Sequence, residues 1–136
     1  MNKLMIMIML MGCMISGCMN NEKTITVLQI EDLFEKHGIP LAEPTELNTE
    51  NVFLKTLNGV KPETFMINDD QLVSIYVYSS SNGVMKGIKD FEDKTATADV
   101  SAHSRYKVAN VLIFYAAEGS YKDNRIELVV KDLKAL

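Results

Sequence analysis

Both cysteines of this 136-residue chain fall within its first 18 positions, inside and just after an apolar run from Leu4 to Ile15. Whatever folds C-terminal to Cys18 therefore folds without a thiol. Disulfides, zinc–thiolate centres, iron–sulfur clusters and cysteine nucleophiles are all excluded from that part. Its stability has to come from buried apolar surface and from backbone hydrogen bonds.

Met1 to Gly17 has the three parts of a secretory signal: a single cation at Lys3, a twelve-residue apolar stretch and small residues before a cut. Twelve residues fall well short of the roughly 18–20 that a spanning helix needs. The stretch is also apolar all round with no polar face, which argues against its being a buried N-terminal helix of a cytosolic domain. Ile15-Ser16-Gly17-Cys18 resembles the lipobox of bacterial lipoprotein signals, in which an aliphatic residue, a small residue and Gly or Ala precede the modified cysteine. That resemblance implies cleavage between Gly17 and Cys18 and a diacylglyceryl group on Cys18. Leu10-Met11-Gly12-Cys13 is the rival, but Met11 is bulky where a small residue is preferred, and the apolar region would shrink.

Two acyl chains hold a protein stably at a bilayer where one holds it only marginally, at about 0.8 kcal/mol per buried methylene. The expected organisation is a signal peptide at 1–17, a lipidated N-terminus and polar tether at 18–23, and one extracytoplasmic domain at 24–136. The partner so implied is the membrane. No Asp follows Cys18, so nothing resembles an inner-membrane retention signal. In a single-membrane bacterium the domain would face the wall, and in a two-membrane one it would sit at the outer membrane.

Cleavage leaves 119 of the 136 residues and takes six of the nine methionines away with the signal, so methionine richness belongs to targeting. Loss of Lys3 moves the formal charge from −4 to −5. The domain has no basic stripe for nucleic acid and is mildly repelled by anionic lipid as a whole.

Thr26 with Gln29 predicts a capping box, Ile25 with Ile30 a hydrophobic staple, and Val27, Ile30, Leu33, Phe34 and His37 recur at helical spacing. Gly38 and Pro40 end that helix, expected over 27–37. Ile39 to Glu43 reads as a short edge strand, since Pro40 and Pro44 exclude a central one. Between Thr45 and Lys61 the signals conflict. Thr64–Asn68 and Leu72–Tyr78 form an expected hairpin around Asp69-Asp70, the second strand with an aliphatic face (Val73, Ile75, Val77) and a face bearing Ser74, Tyr76 and Tyr78. Ser79 to Asn82 offers N-caps for a helix over 83–94, with Gly87 placed for close helix–sheet contact. Thr95 to Arg105 reads as a loop, and Lys107 to Ala116 as a central strand buried on both faces. Arg125 to Lys134 fits a helix, with Lys131 and Lys134 suiting its C-terminal dipole, although Ile126, Leu128 and Val130 also alternate as in a strand.

Strand, helix and strand from Tyr78 to Lys107 predict a right-handed parallel crossover. The expected fold is α+β: a two-layer sandwich with a mixed, mainly antiparallel sheet and three helices largely on one face. From the helix ending in Gly38-Ile39-Pro40-Leu41 through Leu72–Tyr78 to the final helix, the chain resembles small lipoproteins of Bacillus type, a resemblance that carries no activity with it.

Few residues offer chemistry. His37 closes a helix, where the dipole or a carbonyl accounts for it. His103 lies near Asp99, Ser101 and Ser104, so a small envelope hydrolase using His103 with Ser101 or Ser104 can be written down, though without a nucleophile elbow. Ser79 to Gly83 precedes a helix N-terminus able to hold an anion, but lacks the spaced glycines of a dinucleotide loop and the ending of a P-loop. Asp69-Asp70 and Asp90-Glu92-Asp93 lack the pattern of a calcium loop. No metal or cofactor is expected. Ser74, Tyr76 and Tyr78 form the candidate binding surface if no helix covers their face, and core if one does. The expectation for function is a non-enzymatic, membrane-anchored module binding or scaffolding an envelope protein or cell-wall component.

Overall fold

Residue alternation along two central strands organises this protein. The computed structural model describes residues 22–117 and 121–136; the signal peptide, Cys13, Gly17, Cys18 and the first tether residues lie outside the described residues, as do positions 118–120. The chain forms α1 (Val27–Lys36), a 3₁₀ turn (Val52–Leu54), β1 (Glu63–Ile67), β2 (Gln71–Val77), α2 (Ser81–Thr95), β3 (His103–Val108), β4 (Val111–Ala117) and α3 (Arg125–Ala135). The four strands make one sheet in the order β1-β2-β4-β3, antiparallel throughout. The architecture is α+β, with a sheet packed against helices.

Helix α1 starts and stops where its sequence says. The Gln29 N–H donates to Thr26 Oγ1 at 3.3 Å, and the Thr26 N–H donates to Gln29 Oε1 at 3.0 Å, the reciprocal capping box. At the other end Gly38 takes φ +68°, and the Ile39 and Gly38 N–H groups donate to Phe34 and Glu35 carbonyls, both at 2.9 Å. That Schellman closure turns Ile39 into the core.

Every residue from Val111 to Ala116 is buried, so the continuous apolar run of β4 is indeed a central strand. Its alternation feeds two cores. Val111, Ile113 and Tyr115, with Val73 and Ile75 of β2, meet Ile30, Leu33 and Phe34 of α1 and Ile126, Val129, Val130 and Leu133 of α3. On the opposite face Leu112 and Phe114, with Leu72, Tyr76 and Tyr78, meet Val84 and Phe91 of α2 and Phe53 of the 3₁₀ turn. Two of the three helices thus share one face, while α2 lies across the other.

The parallel crossover is corrected. The segment expected as a loop up to Arg105 already contains the start of β3, and β3 returns through the two-residue turn Ala109-Asn110 into β4, so that β4 runs antiparallel to β2. Inserting β3 reverses the chain once more between α2 and the centre of the sheet. The expected edge strand at Ile39–Glu43 is reduced to one bridge, in which Ala42 and Met66 exchange N–H···O bonds of 3.0 and 2.8 Å. The ambiguous segment holds the 3₁₀ turn and a bridge between Leu57 and Val60.

Candidate functional site

The tyrosine face is covered. Ser74 and Tyr76 are 0% exposed and Tyr78 5%, so these residues form core and not a binding surface. The cover consists of α2 and the segment around the 3₁₀ turn. The Tyr76 hydroxyl donates to the Lys55 carbonyl at 2.7 Å, and the Tyr78 hydroxyl to the Leu57 carbonyl at 3.1 Å. Burial, followed by the nearby Asp90 carboxylate, pushes the Tyr78 hydroxyl up to about 12; burial raises Tyr76 as well. Gly87 makes the close approach possible, because a Cβ there would lie 2.6 Å from Tyr78 Cζ. The two phenols thus fasten a segment without regular structure to the sheet.

His103 and the two serines are not assembled for nucleophilic catalysis. The imidazole sits among Phe53, Phe91 and Phe114, with ring centroids at 5.0, 5.7 and 5.7 Å. Its Nδ1 lies 2.9 Å from the Ser101 carbonyl, so that nitrogen carries the proton. Ser104, the next residue along β3, points to the other face and accepts from Lys122 Nζ at 2.8 Å. Among the described residues no carboxylate is hydrogen-bonded to His103. His37, for which the helix dipole or a carbonyl was expected, has a carboxylate as its side-chain partner: its Nε2 lies 2.9 Å from Asp132 Oδ2, which Lys36 also reaches at 2.7 Å. Lys36, and after it His37, hold the Asp132 carboxyl below its usual range.

The anion-binding potential of the α2 N-terminus is met within the chain. Ser80 Oγ accepts from the Gly83 N–H at 3.2 Å, and the Glu22 carboxylate accepts from the Ser81 N–H at 2.7 Å. Of the acidic groups, Asp90 accepts from Asn58 N–H and Lys94, Asp93 pairs with Lys89, and Glu92 with Arg105. Among the described residues no three His, Cys, Asp or Glu side chains converge on a point that could hold a metal ion.

A groove of about 520 Å³ lies elsewhere, between α1 and the β1 edge. Ile39, Pro40, Leu41 and Phe65 supply an apolar floor, and Glu31 and Glu35, one helical turn apart, form a carboxylate rim. Neither carboxylate makes an ion pair with any described residue. The Schellman turn builds this site by lifting the chain away from α1 at Gly38. Sequence reading found the turn but not the groove, because Glu31 and Glu35 read as an ordinary solvated helix face and Phe65 lies on a strand distant in sequence.

No protein-family model, curated protein or solved structure matches this chain. Among the described residues no helix is long and apolar enough to cross a membrane.

Proposed function

We propose that this chain is a bacterial lipoprotein held on the extracytoplasmic face of a membrane by a diacylglyceryl group on Cys18, and that its domain is a non-enzymatic binding module of the envelope. The observation carrying the anchor is Ile15-Ser16-Gly17-Cys18 placed at the end of a short apolar run, only seven positions before Ile25, the first buried residue among those described. Among the described residues no buried side chain precedes Ile25, so a lipid at Cys18 displaces none of the described core.

The binding half of the reading rests on the groove beside α1. Two carboxylates that pair with no described residue, over an apolar floor, complement a segment that presents Lys or Arg beside an apolar side chain, so the partner is an envelope protein offering such a segment. A photo-crosslinker at Leu41 in intact cells, compared with one at exposed Leu128, is the test. The expected adduct forms at Leu41, maps to a basic, apolar segment of one partner and disappears in Glu31→Lys/Glu35→Lys; equal adducts at both positions, surviving the reversal, would contradict it.

A further inference from the structure

Where the tether enters the domain decides which end of the domain faces the lipid. Glu22 is fixed to the first turn of α2 through Ser81, and Ile25 is fixed to the β3–β4 turn through Asn110. Only four residue steps separate Cys18 from Glu22, a reach of about 14 Å even when fully extended. The β3–β4 turn, Tyr78 and the start of α2 therefore belong to the membrane-proximal end. The β1–β2 turn at Asn68–Asp70 belongs to the far end, about 20 Å away along the seven residues of β2.

The corner nearest the tether has a distinctive surface. Met85, one turn into α2, is 49% exposed, and Lys107 near the end of β3 reaches its sulfur at 3.0 Å. A thioether is a weak acceptor, so that ammonium is left without a strong partner. Lys86 and Lys23 are exposed, and neither they nor Lys107 makes an ion pair with a described residue. The one carboxylate of the tether, Glu22, is taken up by the Ser81 N–H. Carboxylates further along α2 are paired: Asp90 with Lys94, Asp93 with Lys89 and Glu92 with Arg105. Glu43 and Glu63 lie across the sheet, at the β1 edge.

We infer that Met85, Lys86, Lys107 and Lys23 form a membrane-contact face that rests on anionic headgroups and sets the orientation of the domain. This inference rests on the anchored reading above. Lipid supplies the affinity and the lysines supply direction, so a domain whose net charge is negative still lies with one corner down. The groove beside α1, whose lining residue Phe65 pairs with Val73 near the far end of β2, then lies away from that corner.

The test uses the full chain, purified from membranes and reconstituted into phosphatidylcholine vesicles with and without phosphatidylglycerol. Spin labels are placed by Met85→Cys and, at the far end, by Asp69→Cys. Co-flotation with vesicles reports the anchor independently of orientation. With phosphatidylglycerol present, collisions with a water-soluble nickel chelate are several-fold fewer at position 85 than at 69. The contrast fades in pure phosphatidylcholine, at high salt and in Lys86→Glu/Lys107→Glu, while flotation is unchanged. Equal accessibility of the two labels in protein that floats overturns the contact face alone. Failure of the parent chain to float overturns the anchor, and the face with it.

Discussion

The side-chain amide of Asn110 closes on the backbone of Ile25 from both sides: Oδ1 accepts from the Ile25 N–H at 2.7 Å, and Nδ2 donates to the Ile25 carbonyl at 3.0 Å. The same Nδ2 donates to the Tyr78 carbonyl at 2.8 Å, and the Asn110 carbonyl accepts from the Tyr78 N–H at 2.9 Å. A residue 1% exposed thus ties the start of the domain, the end of β2 and the β3–β4 turn into one knot.

Replacing Asn110 leaves buried backbone groups without partners. Asn110→Ala should lower unfolding free energy by about 3 kcal/mol in a denaturant titration. Asn110→Asp should cost at least as much, since it loses the Nδ2 donor and buries a carboxylate. Proteolysis near Ile25 should accelerate in both. A change within the error of the titration would show that the knot is not what holds Ile25.

The same turn stores strain next door. Ala109 has φ +48°, in the left-handed region where a Cβ costs about 1–2 kcal/mol. Ala109→Gly relieves that cost and adds some unfolded-state entropy, so a net gain of about 0.5–1 kcal/mol in stability is expected. Thermal denaturation of the variant checks the sign.

Asp123 gives the fold a pH dependence. Its carboxylate, 8% exposed, lies 2.6 Å from Arg125 Nη2 and accepts from Asn68 Nδ2 at 3.0 Å. The Arg125 guanidinium first, then Asn68 and the Arg125 N–H, hold it well below the usual carboxylate range. A folded-state pKa below the unfolded one means that the charged form stabilises the protein above about pH 4, and that this contribution is lost as pH falls further. Asp90 and Asp132 are lowered by Lys94 and Lys36 and act in the same direction. Asp123→Asn should cost about 2 kcal/mol at neutral pH and flatten the stability profile below pH 4; a parallel profile offset at every pH would assign the acid loss to other carboxylates.

What could be read from the sequence follows from how local each signal is. Thr26, Gln29, Gly38 and Pro40 act within a few residues of one another, so α1 was legible at both ends. The β1–β2 hairpin announced itself through Asp69-Asp70 between two β-rich runs. The β3–β4 hairpin did not, because Ala109-Asn110 lacks a glycine, and Asn110 is spent on Ile25, 85 residues away. His103, Ser104 and Arg105 look like loop because β3 is an edge strand whose outward residues are polar. Missing that strand turned an antiparallel neighbour into a parallel one. The fate of Tyr76 and Tyr78 depended on whether the region around residues 53–57 would fold back over them, a tertiary contact that no periodicity encodes. The groove was hidden for the same reason.

Metabolic labelling with an alkyne-bearing fatty acid tests the proposed anchor at Cys18. Cells expressing the wild-type chain, Cys13→Ala or Cys18→Ala are labelled and the protein is captured. Label is expected on the wild type and on Cys13→Ala, and none on Cys18→Ala. Label persisting in Cys18→Ala, or absent from the wild type, would contradict that anchor.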